Sequence, residues 1–417
     1  MTEEQVRSLA PALRAFLGRF KSFLGRRPIA KHIDAYARGL LSDLPRKSVE
    51  PIANSAGACV RSLQLLLTQH DWDETGLRDA MQRYMVQNHL PAPGELRTDP
   101  LGVMGWIDET SFAKKGEKSP GVQRQYCGST GKIDNCIVSV HLAVGYDSFT
   151  SLVDSDLYLP QGWAEEPARC REAGMPEDLP FRTKCQIALD QVKRAVSNGV
   201  RFDWMGFDEG YGGKPSFLLG LEAMGQLFIG EVPKTFRCFS DPPTYQSPQG
   251  PLLAQEAQSL LGHSKVFFRQ KWVTYTVSHK TVPDSQWKVK AGRVYISVEG
   301  RCHDRPYWLI VAKNTSTGEV KYFISSAPER TALETMLAAA FSRWGIEHLF
   351  RVSKTEIGLG DFEGRRYRGL IRHLVLCQMM LLFTAEQTTR LRGEKSAGHQ
   401  GAGGDGDEHY LRAMAAA

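Results

Sequence analysis

Two stretches of the chain, Leu101-Gly-Val-Met-Gly-Trp-Ile-Asp108 and Phe202-Asp-Trp-Met-Gly-Phe-Asp208, decide its predicted fold. Each is a short apolar run that ends on a carboxylate, which is typical of a buried strand. Between them the sequence predicts two further strands, Asn135–Gly145 and Thr150–Pro160, and one helix, Thr183–Asn198. Strands followed by a helix and another strand indicate a mixed α/β sheet.

The regions around these runs have a different character. Apolar residues recur at three- and four-residue spacing before residue 97, and prolines divide this region into short helices. Residues 235–315 contain short aromatic and β-branched runs, such as Val266–Phe268, with few helical signals. The predicted domains are an all-helical domain (1–97), a first part of the α/β core (98–234), a β-rich insertion (235–315), a second part of the core (316–391) and a flexible Gly-rich tail (392–417).

Three helices are predicted from apolar spacing and capping residues. Asp71 and Asp73 are candidate caps for a helix at Glu74–Gln87. The spacing also turns helical over Thr331–Lys354 and over Tyr367–Leu391.

The composition is that of an ordinary soluble globular protein. Of 417 residues, 42% are hydrophobic and 24% are charged, which excludes a collagen-like, fibrous or wholly disordered chain. Lys and Arg number 52 against 46 Asp and Glu, and residues 1–61 hold eleven of these cations against five acids. The basic excess therefore lies at the N-terminus, where it permits nucleic-acid binding without requiring it.

The expected compartment is the cytoplasm. The eight cysteines form no C-x-x-C motif and no Cys/His cluster with zinc spacing, which favours reduced thiols. The first residues lack the pattern of a signal peptide, and the most apolar run, Leu374–Ala385, is too short to span a membrane. We therefore expect a cytoplasmic protein with no membrane partner.

Asp108 and Asp208 are the first candidate site residues. Each follows an apolar strand, and functional groups of α/β sheets gather outside the carboxyl ends of strands. Carboxylates held there suit a hard divalent cation. The alternative is that each Asp is a turn or cap residue.

A stripe of charged residues provides the third acid. Arg343, Glu347, Arg351 and Lys354 are spaced by four, four and three residues, so they share one helical face. Glu347 suits metal binding while the cations hold phosphates. The alternative is a ladder of surface salt bridges.

Basic and aromatic side chains nearby have two interpretations each. A set of lysines after Asp108 suits a phosphate backbone, or else forms a solvated loop. These are Lys114, Lys115 and Lys118. Trp344 and Phe350 are expected to be core contacts of the Glu347 helix. Cross-strand packing is expected for three tryptophans of the insertion, with stacking on an unpaired base as the alternative. These are Trp272, Trp287 and Trp308.

Many of these residues fall in motifs that resemble a known family. The matching segments are Ile107–Gly116, Gly121–Tyr126, Asp156–Pro160 with Trp163, Ala173-Gly174 with Pro176–Asp178, Gly206–Gly212, Arg343–Glu347 with Lys354, Gly358-Leu359 and Arg372-His373. Together they resemble the DDE transposases of bacterial insertion sequences, and most of all the insertion sequence 701 family, a relative of the insertion sequence 4 group. The resemblance runs from Leu40 to about Leu382, which is nearly the whole chain.

The resemblance implies a fold, a reaction and partners. Asp108, Asp208 and Glu347 of an RNase H-like core would bind two Mg²⁺ ions, for which Mn²⁺ substitutes. Two such ions activate a water or a 3′-hydroxyl and stabilise the leaving oxygen of a phosphodiester. The implied partners are double-stranded DNA, as element ends and target, and further copies of the chain in a homodimer or higher assembly. The implied function is cut-and-paste transposition at the bacterial nucleoid, with the helical N-terminal domain recognising the terminal inverted repeats.

The related group also carries the pattern Y-x-x-R-x-x-x-E-x-x-x-x-x-x-K, in which Arg and Lys hold DNA phosphates. Arg343, Glu347 and Lys354 fit this pattern, whereas the Tyr position is Ala340. This difference puts excision through a DNA hairpin in question, but not the metal chemistry. The implied DNA contacts are Arg343, Arg351, Lys354, Lys114 and Arg124.

Other acids and other functions remain open. Glu109 and Glu209 neighbour the proposed ligands, and on a strand they would point to the opposite face. Glu356 lies nine residues after Glu347, half a turn out of phase on a helix. A domesticated or inactive copy that binds DNA without cutting it is the main alternative function. A nuclease without strand transfer is another.

Overall fold

The structure is a computed structural model that describes residues 3–245, 252–279 and 282–398. The chain divides into two units. The first unit comprises the described parts of residues 1–96, 109–200 and 347–417, and the second comprises those of 97–108 and 201–346.

The described residues form fourteen helices and twelve strands. The helices are α1 (Glu3–Arg19), α2 (Arg27–Leu41), α3 (Val49–Ser55), α4 (Val60–Thr68), α5 (Glu74–Asn88), α6 (Gln161–Ala164), α7 (Pro167–Glu172), α8 (Lys184–Ser197), α9 (Glu209–Gly212), α10 (Pro215–Ala223), α11 (Ala257–His263), α12 (Leu333–Phe341), α13 (Trp344–Thr355) and α14 (Tyr367–Gly398). The strands are β1 (Met104–Ala113), β2 (Gln123–Cys127), β3 (Lys132–Tyr146), β4 (Phe149–Tyr158), β5 (Trp204–Phe207), β6 (Phe228–Val232), β7 (Arg237–Phe239), β8 (Gln255–Glu256), β9 (Val273–His279), β10 (Val282–Val298), β11 (Arg301–Asn314) and β12 (Val320–Ser325).

Local sequence signals account for two helices of the first unit. Asp73 caps α5, where its carboxylate accepts from the Gly76 backbone N–H at 2.8 Å. Thr183 and Gln186 form a capping box at the start of α8, and Asn198 is its C-cap. The helices predicted at Glu74–Gln87 and Thr183–Asn198 are therefore confirmed.

Helix α14 organises the helical part of the first unit. It packs against β4 and against α1, α2, α4 and α5. Its fully buried Arg372 donates to the carbonyl oxygens of His70 at 2.8 Å and Trp72 at 2.9 Å, which lie between α4 and α5. The segment Tyr367–Gly393 is long and apolar enough to span a membrane, but 83% of its most apolar window is buried inside the protein, as in a core helix.

The first unit also contains an antiparallel sheet. Strand β3 pairs with β2 on one side and with β4 on the other. Helix α8 packs against β3 and β4 through its apolar face. The predicted strands Asn135–Gly145 and Thr150–Pro160 correspond to β3 and β4.

The second unit is built on a mixed sheet. Strands β1, β5 and β6 are parallel neighbours, and β6 then pairs antiparallel with β12. The order continues through β11 and the long strand β10 to β7 and β8, with β9 also paired to β10. This arrangement confirms the mixed α/β class. The domain boundaries and the RNase H-like assignment stay predictions.

Two local predictions are wrong. Val266–Phe268 is a turn after α11 rather than a strand, because the Ser264 carbonyl accepts from the backbone N–H groups of Phe267 and Phe268. The helical run Thr331–Lys354 is two helices, α12 and α13, separated by Ser342 and Arg343. At the C-terminus, α14 extends to Gly398, and the rest of the predicted tail lies outside the described residues.

Candidate active site

The site begins where β1 and β5 lie side by side. Ile107 pairs with Phe207 in their parallel register, so Asp108 and Asp208 follow at the same level of the sheet. Strand β1 continues to Ala113, so the prediction that it ends at Asp108 is wrong. The pairing of β1 with β5, however, ends at Ile107, directly before Asp108. The two aspartates therefore lie side by side where the parallel pairing of β1 and β5 ends.

Two glycines of these strands leave room for neighbouring side chains. A Cβ atom at Gly105 would lie 2.5 Å from the Met205 sulfur and 2.7 Å from the Phe202 ring. A side chain at position 105 would therefore have to displace the side chains of Met205 and Phe202. Gly206, two residues before Asp208, likewise leaves room for the Trp106 ring, which would lie 3.1 Å from a Cβ atom there.

Asp208 is held by the start of a short helix. It is the N-cap of α9, and its Oδ1 accepts from the backbone N–H groups of Gly210 at 3.0 Å and Tyr211 at 3.4 Å. The interpretation of this residue as a cap therefore describes its local geometry. Capping also fixes the orientation of a carboxylate that can bind a cation.

Asp108 is held by an arginine. Arg343 Nη1 donates to Asp108 Oδ2 at 3.2 Å, and the two side chains are only 15% and 14% exposed. Arg343 lies in the corner between α12 and α13. Trp106, two residues before Asp108, anchors this corner by donating from its Nε1 to Ser342 Oγ at 3.1 Å.

Helix α13 carries the remaining residues of the predicted stripe. Glu347 lies in its first turn and Lys354 in its last. The Arg351 guanidinium is 2.9 Å from His348 Nδ1, and the Lys354 ammonium lies 5.7 Å from the centre of the Phe112 ring.

Three other acids were alternatives to the proposed ligands, and the structure shows where each of them lies. Glu109 forms an ion pair with Lys184, and Glu209 is the first residue of α9. The backbone carbonyl of Glu356 accepts from the Lys47 ammonium. Of these, only the Glu109 contact involves the carboxylate itself.

The two DNA contacts predicted far from Glu347 occupy different environments. The Lys114 ammonium donates to the carbonyl oxygens of Phe362 at 2.6 Å and Gly360 at 3.2 Å, and burial lowers its pKa. Arg124 is exposed on β2 and lines a cleft of about 650 Å³. Sequence reasoning missed three other arginines of this cleft, although the Arg365-Arg366 pair was a visible basic signal. They are Arg169, Arg365 and Arg366.

The aromatic predictions were partly right. Phe350 is buried and packs against the His141 ring, which confirms it as a core contact. Trp344 is 42% exposed, so its prediction as a core contact is wrong, because it begins α13 where the helix faces solvent. Trp287 is buried against Phe341 of α12.

The donor set of this edge fits a hard cation. Carboxylate oxygens are the ligands that Mg²⁺ prefers, and Asp108 and Asp208 supply two carboxylates from neighbouring strands. Among the described residues, no three His, Cys, Asp or Glu side chains form a ready group that could hold a metal. The described site therefore offers part of a ligand set.

Comparison with known proteins places this site in a family. A family model of the DDE superfamily endonucleases matches residues 19–290, which is more than half of the chain and includes both Asp108 and Asp208. A probable transposase for insertion sequence element IS701 from Microchaete diplosiphon is 27% identical, over 79% of this chain and 75% of that protein. The resemblance drawn from the sequence motifs is confirmed. The chain therefore belongs to the DDE superfamily of endonucleases.

Proposed function

We propose that this protein is a DNA transposase that binds the terminal inverted repeats of an insertion sequence and cuts and rejoins DNA strands. The observation that carries the proposal is the placement of Asp108 and Asp208 at the ends of two paired parallel strands. Membership of the DDE endonucleases supports a reaction at phosphodiester bonds. The protein would act in the bacterial cytoplasm on nucleoid DNA.

The catalytic part is proposed to be an RNase H-like core. The parallel set β1, β5 and β6, together with the antiparallel strands β2 to β4, supports this assignment. Residues 1–97 contribute the helical DNA-binding part, and residues 235–315 the β-rich insertion.

Asp108, Asp208 and Glu347 are proposed to hold two Mg²⁺ ions. Bound there, the ions would activate the attacking oxygen and stabilise the leaving oxygen. Asp208 is oriented by the first turn of α9, and Asp108 by Arg343. Glu347 lies beyond the residues matched by the family model, so its role depends on the motif around it.

Arg343 and two cations of α13 are proposed to bind DNA phosphates. The positive charge of three side chains suits a phosphate near the cut: Arg343, Arg351 and Lys354. An arginine can bind a phosphate with two parallel hydrogen bonds. Ala340 is a buried residue of α12 without a hydroxyl group. Position 340 therefore supplies no tyrosine hydroxyl for a DNA hairpin.

The experiment is a cleavage and strand-transfer assay on a labelled duplex that carries the repeats flanking the gene. It compares Mg²⁺, Mn²⁺ and EDTA for the parent protein, for Asp108→Asn and for the matched control Asp304→Asn, whose carboxylate is 90% exposed. Metal-dependent nicking at the repeat that vanishes only in Asp108→Asn supports the proposal. Tight repeat binding without cleavage under either metal would overturn it in favour of a non-catalytic DNA-binding protein.

A further inference from the structure

We infer that a second surface of the first unit binds the phosphate backbone of DNA. This surface, the basic cleft, has a volume of about 650 Å³ and is lined by Lys118, Arg124, Arg169, Arg365 and Arg366. The inference rests on the proposed function, because it takes DNA as the partner. The catalytic proposal uses none of these residues, and only Arg124 is among the DNA contacts that the sequence resemblance implies.

Burial and hydrogen bonds hold two residues that line the basic cleft. Trp163 is 1% exposed, and its Nε1 donates to the Val122 carbonyl oxygen at 2.8 Å. The Arg169 guanidinium lies 3.9 Å from the centre of the Trp163 ring and donates to the Glu117 carbonyl oxygen at 3.1 Å. A cation held in this way loses little conformational entropy when an anion binds.

Residues directly before α14 also line the basic cleft and are held by hydrogen bonds to residues 172 and 173. Arg366 Nη1 donates to the Glu172 carbonyl oxygen at 3.0 Å, and the Tyr367 backbone N–H donates to the Ala173 carbonyl oxygen at 2.9 Å. Gly174 has a φ of +67°, and a Cβ atom there would lie 3.4 Å from the Arg366 guanidinium. The residues of this turn therefore hold the start of α14 in position beside α7.

The charge of the basic cleft is unbalanced. Its lining contains five cations and three acids, the acids being Glu117, Glu166 and Glu172. Lys118 is paired with Glu172 at 2.8 Å, and Arg169 is 3.9 Å from Glu166. Within the described parts of the chain, no ion pair engages Arg124, Arg365 or Arg366, and all three are exposed. Three guanidinium groups around one cleft suit successive phosphates, which arginine can bind with two hydrogen bonds each.

An exposed aromatic residue favours DNA over an acidic peptide. In the β2–β3 register Arg124 lies opposite Asn135, and Tyr126 lies opposite Ile133. Residues two apart on a strand share a face, so Tyr126 continues the face on which Arg124 borders the cleft. Tyr126 is 68% exposed, and an exposed ring two residues from Arg124 suits contact with a base or sugar.

The test measures binding of the full chain in EDTA, where no cleavage occurs. Fluorescence anisotropy follows a labelled duplex carrying the terminal repeat and a duplex of unrelated sequence. The variant combines Arg124→Gln, Arg365→Gln and Arg366→Gln, and the matched control combines Arg269→Gln, Lys313→Gln and Arg330→Gln, three exposed cations of the second unit. We expect the triple variant to bind both duplexes at least about 10-fold more weakly, with a salt dependence lower by about 2 to 3 in log–log slope. The control should match the parent.

Further arms separate the outcomes. Lysine at the same three positions should keep the slope of the parent, because the charge is retained. Should the triple variant melt at a lower temperature than the parent, Arg365→Gln alone should still reduce the slope by about 1. If the parent binds DNA and the triple variant binds it with the same affinity and the same salt slope, this inference is overturned and the proposed function stays intact. A parent that binds no DNA would overturn both. Binding of poly-glutamate is measured in the same way. If the triple variant loses it while DNA binding is unchanged, the basic cleft is a site for acidic peptides and the inference is overturned.

Discussion

At the scale of single residues, the contact between Asp108 and Arg343 links the strand edge to the corner between α12 and α13. Both side chains are mostly buried, so water screens their interaction less than it would at the surface. Arg343 therefore balances the charge of Asp108 and fixes its orientation at the same time. These two roles respond differently to substitution, since lysine keeps the charge and lacks the planar guanidinium.

Arg343→Gln should lower the rate of strand cleavage by about 10- to 100-fold, because a hydrogen bond to a charged group contributes about 1.5–3 kcal/mol. Arg343→Lys should give an intermediate rate. Cleavage is measured with Mg²⁺ under single-turnover conditions at saturating protein, so that a lost phosphate contact does not enter the rate, and thermal melting is the control for folding. A glutamine variant that cleaves at the parent rate would show that Asp108 needs no partner here.

Glu347→Gln should leave repeat binding intact and reduce cleavage by at least about 100-fold, since a metal ligand supplies several kcal/mol of transition-state stabilisation. The matched variants are Glu109→Gln, Glu209→Gln and Glu356→Gln, which should cleave far better than Glu347→Gln. If one of these three were the inactive variant instead, the third acid would have to be reassigned to that position.

Sequence reasoning reached some residues of the site and missed others for a physical reason. Asp108 and Asp208 could be found because a carboxylate after an apolar run is a local signal. The basic cleft could not, because Arg124, Arg169 and Arg365 come from three separate segments that meet only in the folded first unit.

At the scale of elements, helices with local caps were predictable and the break between α12 and α13 was not. Thr183 and Asp73 bond to backbone groups within three residues, so sequence spacing reveals them. Ser342 instead accepts a hydrogen bond from Trp106, which is 236 positions away in the chain. Its hydroxyl also donates to the Ala339 carbonyl oxygen at 2.7 Å, a local bond that competes with continued helix.

The junction of α5 with α14 shows how one acid joins two elements. Glu74, in the first turn of α5, pairs with the fully buried Arg372 at 3.0 Å and with Arg368 at 3.0 Å. Burial by itself raises the pKa of Glu74, but the hydrogen bond from Arg368 and the charge of Arg372 outweigh it, so the pKa is lowered. A lowered pKa means that the ionised acid stabilises the folded state above the ordinary carboxyl pKa of about 4.3.

Glu74→Gln should therefore destabilise the protein by about 3 kcal/mol at neutral pH, because it leaves the charge of Arg372 unbalanced inside the protein. The difference between parent and variant should begin to shrink as the pH falls below about 4.3, and it should be lost as the pH falls through the lowered pKa of Glu74, where the folded parent also loses this carboxylate charge. Thermal melting across this pH range measures it. The matched control is Asp34→Asn, whose exposed pair with Arg38 should contribute less than about 1 kcal/mol. A difference that does not change with pH would argue against an ionised Glu74.

At the scale of the whole molecule, charge is distributed unevenly along the chain. The excess of cations over acids in residues 1–61 is six, which equals the net charge of +6 for all 417 residues. Helices α1 to α4 carry most of these residues. A cationic surface of this kind attracts DNA by releasing counterions from its phosphates, which makes binding depend on salt and little on sequence.

This distribution predicts that element-end binding weakens steeply with added salt and that the N-terminal cations account for part of the slope. Lys21, Arg26, Arg27 and Lys31 are exposed residues of this region. Replacing all four with glutamine should lower the log–log slope by up to about 3.6, because each phosphate that a cation neutralises adds about 0.9 to it. The control replaces four exposed cations of the second unit, Arg269, Lys271, Lys313 and Arg330, and should leave the slope unchanged. Anisotropy titrations in EDTA at several salt concentrations measure both. A salt dependence that is nearly flat in the parent would mean that base contacts, rather than the N-terminal charge, bind the element ends. An equal reduction of the slope in both variants would mean that the whole surface attracts DNA and that residues 1–61 have no special part in it.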